Sequence, residues 1–442
     1  MTPSSRYETQ AVDTTPLTQA LEFKFAGRSA SNRFMKAAMQ ERLCTWKPDD
    51  LNLSGVPDAA MFRVYEEWSE GSIGIILTGS IIFEHDQITQ RGDPVVPTGT
   101  PCNGKRFDAF ATLAGIGKTH GSLMIGQINH PGRLIDESMQ AHPISASDIQ
   151  QDIQTGQTFA KPHAASKDEI GGILEGFAHC AAYLEGAGFD GVEIHAAHGY
   201  LPAQFLSSTS NLRTDEYGGD LRSRLRLIAE VAQAIRKRTG SSFILGIKLN
   251  SVEFQGSFES NNARELCAFI EDNSFDFVEL SGGTLEHFQH KRESTRRREA
   301  FFLDFAESVA PLLSQTRVYI TGGFKTAGAM VQALDKAHGI GLGRPLCQEP
   351  QLCRGILEGI VNTAIKQLPS EDNFAVSNVV AGTQIRRISR SHHPLDMSQE
   401  YNEDSFNQEM SAWTDRLKSD SNAYGFFDVT PAAFVRGFGC RT

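Results

Sequence analysis

The chain has 442 residues, 40% of them hydrophobic, with 53 acidic against 42 basic side chains and a formal net charge of −11 at neutral pH. That length suits one large barrel with additions or two medium domains, and either buries a sizeable core. The acidic balance opposes nucleic acid or an anionic membrane as a partner, because such surfaces are held by basic patches that displace counterions.

The opening MTPSSRYETQAVDTTPL lacks the apolar centre of a signal peptide, and no run of about 18 apolar residues offers a membrane span, so a soluble cytoplasmic protein is expected. Seven cysteines, at 44, 102, 180, 267, 347, 353 and 440, are scattered without paired spacing. An odd, unpaired set fits reduced thiols. No CxxC or HExxH occurs, so no metal site is expected.

In chain order, residues 1 to about 31 are polar and are expected to drape over the surface. Arg33 to Ala38 reads as a first strand ending in Ala37-Ala38-Met39-Gln40-Glu41, where small residues let a flat ligand approach the backbone. A helix over 58–70, carried by Met61, Val64, Tyr65 and Trp68, leads to the continuous apolar strand Ile73 to Thr78. The alternation then repeats: helix 103–120, strand Leu123 to Ile128, helix 167–187, strand Asp190 to Ile194, helix 222–238, strand Phe243 to Leu249, helix 260–272, strand Asp276 to Leu280. It finishes with helix 298–313, strand Val318 to Thr321, helix 326–337, strand Gly339 to Leu342 and helix 350–366. Eight strands alternating with eight helices predict an α/β fold of the (β/α)8 TIM-barrel class. The competing doubly wound sheet lacks its GxGxxG turn.

The barrel is expected over 22–366, with a C-terminal extension over 367–442 that packs on the barrel or on a second subunit of a homo-oligomer. Within the extension, the basic cluster Arg386, Arg387, Arg390, His392 and His393 reads as a solvated face. An amphipathic helix over 401–418 turns Phe406, Met410, Trp413 and Leu417 toward something it must cover.

Chemistry in such a barrel sits at the carboxyl ends of the strands, and the candidate residues fall there. His195, His198 and Tyr200 follow the fourth strand, in a loop that runs on through Asn211, Arg213, Asp215, Tyr217, Gly218 and Gly219. A His pair three apart is by itself equally a structural feature or two metal ligands, and the loop polar residues read as a hydrogen-bonded clamp. Gln127 heads QINHPGR at the third strand end, and Lys248 ends the fifth, where Glu193 is expected to pair with it. Ser281-Gly282-Gly283-Thr284 ends the sixth, Thr321-Gly322-Gly323-Phe324-Lys325 the seventh and Gly341-Leu342-Gly343-Arg344-Pro345 the eighth. Glycines after the last two strands expose backbone N–H groups suited to phosphate. Two long loops, 129–165 and 195–221, would wall one pocket.

Over residues 20 to 366 the chain resembles the old yellow enzyme family of FMN-dependent ene-reductases, in its His-x-x-His branch. QINHPGR, HAAHGYLPAQFLSS with NLRTDEYGG, and GLGRP carry the resemblance. It implies FMN across the barrel mouth, its phosphate on Gly322, Gly323, Gly343 and Arg344, with Gly282 and Gly283 also in the cradle. Gln127 and Lys248 would meet the ring's polar edge, and Ala38, Met39, Gln40 and Ser80 would contact the ring. It further implies NADH or NADPH as electron donor and a small enone-like substrate whose carbonyl meets His195 and His198, with Tyr200 supplying the proton. Gln40 stands where relatives commonly carry Thr, Ser or Cys. FMN barrels that oxidise, isomerise or demethylate share this cradle, and a flavin-binding sensor or a cofactor-free aldolase using Lys248 are the remaining readings.

Overall fold

Near-continuous apolar runs become strands covered on both faces, and eight of them close on themselves. The computed structural model describes residues 4–47, 49–151, 158–250, 260–281, 305–369, 373–420 and 423–429. Strands β1 (Phe34–Lys36), β2 (Ile75–Ile81), β3 (Leu123–Ile128), β4 (Gly191–Ala196), β5 (Ile244–Asn250), β6 (Phe277–Ser281), β7 (Arg317–Thr321) and β8 (Gly339–Leu342) form a closed parallel barrel, with β8 paired to β1. Around it lie α1 (Ala59–Ser69), α2 (Gly104–Lys118), α3 (Lys167–Gly186), α4 (Leu221–Arg238), α5 (Ser260–Asp272), α6 (305–309), α7 (Ala327–Ala333) and α8 (Leu352–Leu357). This is the expected (β/α)8 architecture. Among the described residues no helix is long and apolar enough to cross a membrane.

Alternation along each strand stacks the interior in layers. The floor is apolar, with Ile75, Leu123, Ile244, Phe277 and Tyr319 buried together. The bulky rings of this layer lie over glycines: a Cβ at Gly246 would fall 2.1 Å from the Phe277 ring, and one at Gly339 would fall 2.3 Å from that of Tyr319. Further along the strands come Gln127, Glu193, Lys248 and Glu279, in adjacent registers. Beyond them, the mouth presents His195, Ser281 and Thr321. In β2 the register shifts between Leu77 and Ser80. The Thr78 hydroxyl accepts the Gln127 N–H there at 3.0 Å, so the bulge aims Ser80 without orphaning a backbone donor.

Several expectations need correction. Residues 21–30 do not drape: Leu21–Phe23 and Arg28–Ala30 make an antiparallel hairpin whose Leu21, Phe23, Ala26 and Ala30 plug the barrel floor. Upstream, Arg6 pairs with Glu349 at 2.6 Å and Lys366 N donates to Ser5 O. The helix expected over 350–366 stops at Leu357, because Gly359 adopts a left-handed φ of 70° just past it. The helix over 326–337 ends at Ala333, and 298–304 lies outside the described residues.

The extension is more ordered than its polarity suggests. Helix α9 (Phe374–Ser389) packs against α1 and against the short helix Arg344–Gln348 that follows β8. Arg390, His392 and His393 of the basic cluster are exposed as expected, but Arg387 is not part of a solvated face. Arg387 is buried, with Nη1 donating to Asp428 at 3.0 Å and to the Val429 carbonyl, and His392 meets the same Asp428. Helix α10 (Glu400–Ser419) turns Trp413 onto Phe426 and Phe427 of the same chain.

Candidate active site at the barrel mouth

A cavity of about 420 Å³ opens at the carboxyl ends of the strands. Among its lining residues are Ala38, Met39, Gln40, Ser80, Gln127, His195, His198, Tyr200, Lys248, Gly322, Gly323, Gly343 and Arg344. The structure therefore gathers residues separated by more than 300 positions in one pocket. Gly282 and Gly283 lie outside the described residues.

One wall comes from the end of β4. His198 takes a left-handed φ of 57°, which folds the loop back and brings its ring to 5.1 Å from His195. Tyr200 lies edge-on to His195, with ring centroids 4.7 Å apart and planes at 74°. His195 Nδ1 accepts the Ala197 N–H at 3.4 Å, and His198 Nε2 lies 3.2 Å from Ser281 Oγ. Burial, aided by the neighbouring His198 and Lys248 charges, holds His195 well below the usual imidazole range, and His198 is pushed down to about 3 by burial and Lys248. Both rings are thus neutral at physiological pH. Burial pushes the Tyr200 phenol up to about 12, with Asp93 adding to the shift, so it keeps its proton.

Beneath them lies a buried polar layer. Gln127 Nε2 donates to Glu193 Oε1 at 2.7 Å, and Lys248 Nζ to Glu279 Oε1 at 3.0 Å. The expected Glu193–Lys248 pair is replaced by Lys248–Glu279, since Glu279 is the residue beside Lys248 in the register. Burial and the Glu279 charge raise Glu193 well above the carboxylate range.

On the opposite side the backbone is bare. A Cβ at Gly341 would fall 1.8 Å from Thr321 Oγ1, and Gly323 has φ 62°. Thr321 Oγ1 is itself buried without a partner among the described residues. Arg344 reaches in beside them while its guanidinium donates to Ser377 Oγ of α9. Bare glycines and an arginine at one end, with an amide and an ammonium at the other, suit a planar polar ring carrying an anionic tail. The residues present fit FMN.

The clamp expected in the 195–221 loop is present. Asn211 Nδ2 donates to the Phe205 and Tyr217 carbonyls, and Arg213 binds Asp215 through two nitrogens while also reaching the Ala146 and Ala165 carbonyls of the other long loop. None of these residues lines the cavity.

Sequence reasoning missed Arg42 and four residues from the extension, Phe374, Asn378, Gly382 and Phe426, all of which line the cavity. Arg42 stood two residues past Gln40, where period-two spacing had the signal. Gln40 itself turns its amide to Thr89 and to Asp93, 3.2 Å away.

Comparison with known proteins agrees with this geometry. The family model for the NADH:flavin oxidoreductase / NADH oxidase family matches residues 23–362. The chain is 44% identical over 423 residues to the NADH-dependent flavin oxidoreductase nadA of Aspergillus parasiticus, covering 94% of this chain and 95% of that one. That coverage necessarily runs past residue 362 into the extension. Among solved structures it resembles morphinone reductase in complex with tetrahydroNAD, with TM-score 0.63 and 22% identity over 81% of this chain and 93% of the other. The old yellow enzyme homologue from Zymomonas mobilis gives TM-score 0.64 and 22% identity over 79% and 94%. The chain belongs to the NADH:flavin oxidoreductase / NADH oxidase family, whose FMN-dependent enzymes are built on the old yellow enzyme barrel.

Proposed function

We propose that this FMN-dependent NADH oxidoreductase reduces the activated C=C bond of an α,β-unsaturated carbonyl compound. The carrying observation is the edge-on trio of neutral His195, neutral His198 and protonated Tyr200 on one wall of the cofactor cavity. FMN, when bound, supplies the two-electron carrier that takes hydride from reduced nicotinamide and gives it to the substrate β-carbon. The NADH-dependent relative supports NADH as the donor.

In this reading Gly322, Gly323, Gly343 and Arg344 hold the phosphate end, and Gln127 and Lys248 hold the polar edge of the ring. Ala38, Met39, Gln40 and Ser80 form its bed, with Gly282 and Gly283 assigned there by family likeness. His195 and His198 donate to the substrate carbonyl, so that charge developing on the oxygen meets preorganised donors; loss of such a donor typically costs about 2.7–4 kcal/mol. Tyr200 protonates the α-carbon. The barrel over 22–366 carries this chemistry, and the extension over 367–442 walls it.

Anaerobic titration of the purified protein tests the reading. NADH is expected to bleach the flavin band, and an enone to restore it. Tyr200→Phe is expected to slow reoxidation by the enone by about 10²–10⁴ while flavin reduction by NADH keeps its rate. Equal slowing of both half-reactions would remove Tyr200 from the proton-donor role, and flavin that NADH leaves oxidised would end the reading.

A further inference from the structure

Arg42 is a cation of the mouth that no described residue pairs with. Lys248 is held by Glu279, and Arg344 by Ser377. The half-buried Arg42 guanidinium makes no hydrogen bond or ion pair with any described residue, and its Nε is buried without a partner. Only an aromatic face meets it: the Phe426 ring lies 4.6 Å from its central carbon. A guanidinium withdrawn from water in this way is destabilised until an acceptor arrives.

The nearest carboxylate does not serve. Asp93 lies beyond ion-pair distance, and its oxygens already accept from Gln90 N at 2.8 Å, from Thr89 Oγ1 and from the Gln40 amide. The backbone at Arg42 has φ 53°, a left-handed conformation costly for a side chain of this size. Gly92 packs on the Arg42 carbonyl, where a Cβ would come within 2.9 Å, so the surroundings hold the strained residue in place. Its electrostatic coupling to Tyr200 puts the charge on the proton-donor side of the cavity, away from the glycines of the phosphate end.

We propose that Arg42 anchors an anionic oxygen group, a carboxylate, on the molecule that receives the hydride, so that the oxidising substrate is an α,β-unsaturated carbonyl compound with a negative charge. The inference rests on the function proposed above and narrows its substrate class. A guanidinium presents a planar fork that matches a carboxylate through two hydrogen bonds. Such a contact would fix the alkene's direction across the mouth.

The test compares (E)-4-oxopent-2-enoate with its methyl ester, which share the enone and differ in charge. Binding of each to oxidised holoenzyme is measured by calorimetry, without NADH, for the wild type, Arg42→Met and Arg42→Lys. The wild type is expected to prefer the acid by about tenfold or more, the order set by one charge-assisted hydrogen bond. Arg42→Met is expected to erase that preference by weakening the acid alone, and Arg42→Lys to retain part of it. Equal affinity of acid and ester in the wild type would overturn the assignment, as would equal weakening of both in Arg42→Met. In a separate measurement of flavin reduction, a raised NADH requirement in Arg42→Met with acid binding unchanged would give Arg42 to the dinucleotide's phosphates and overturn it too. If the acid binds through Arg42 but NADH-reduced enzyme reduces neither compound, the ene-reductase reading fails and the anion site stands.

Discussion

His195, assigned above to the substrate carbonyl, donates there as a neutral ring. Its Nδ1 accepts the Ala197 N–H, which fixes the proton on Nε2. Burial and the adjacent His198 and Lys248 keep a second proton off. Reoxidation of reduced enzyme by an enone is therefore expected to have no imidazole limb between about pH 5 and 8, although free histidine titrates near 6.5. Stopped-flow rates across that range check it. A limb near 6.5 that disappears in His195→Asn would mean the ring is charged in the working enzyme. These residues were legible in the sequence because they are local: a strand end, a His pair and a Tyr within six positions. The polar layer below was only half legible. Both Glu193 and Lys248 were placed correctly, but Glu279, on the next strand, decides which carboxylate takes the ammonium.

At the scale of elements, the βα alternation was readable because each strand is buried on both faces and so is apolar almost throughout. The floor hairpin and the tail were not. The hairpin strands have three residues each, too short to establish a period, and α9 hides its burial behind arginines whose partner, Asp428, lies about forty residues on. That distant contact has a functional consequence. The segment 423–429 returns to place Phe426 against Gly382, where an added Cβ would fall 2.3 Å from the ring. Trp413 stacks on the other side, 6.0 Å away, and its Nε1 donates to Gly425 O at 3.0 Å. Phe426 is thus braced as a wall of the cavity. Phe426→Ala is expected to raise KM for a small enone more than it lowers kcat, because it removes uniform binding surface and leaves the donors on β4 intact. An unchanged KM with a lowered kcat would mean the segment acts on the chemistry itself.

The whole molecule buries several imidazoles by one device, a backbone N–H aimed at Nδ1. Gly132 N donates to His130 at 3.0 Å and Val318 N to His338 at 3.0 Å, as Ala197 N does to His195. Burial pushes His130 down to about 3, and His338, at the barrel's floor end, down to about 4 with help from Arg317 and Arg33. Each has a folded value below its unfolded one, so the unfolded chain binds more protons once the pH is under about 6.5, and stability falls as pH drops from there toward the folded values. Asp93 works in the opposite sense. Burial pushes its carboxyl up to about 6 against its Thr89 and Gln90 hydrogen bonds, so the folded state binds the extra proton between about pH 6 and 4. Carboxylates held low by partners, such as Asp215 beside Arg213, keep their full contribution down to about pH 4 and lose it only below, where the unfolded group protonates. Glu84, Glu193 and Glu349, also raised by burial, act with Asp93, but the depressed imidazoles His85, His130, His179, His195, His198 and His338 outnumber these four carboxyls and set the direction. The urea midpoint of the holoenzyme in excess FMN is expected to decline steadily from about pH 7 to 5, by several kcal/mol in stability. His338→Asn, whose amide oxygen can still accept the Val318 N–H far from the mouth, is expected to flatten the decline by one proton's share. A flat wild-type profile would mean these rings are charged in the folded protein, and an unaltered slope in His338→Asn would remove His338 from the account.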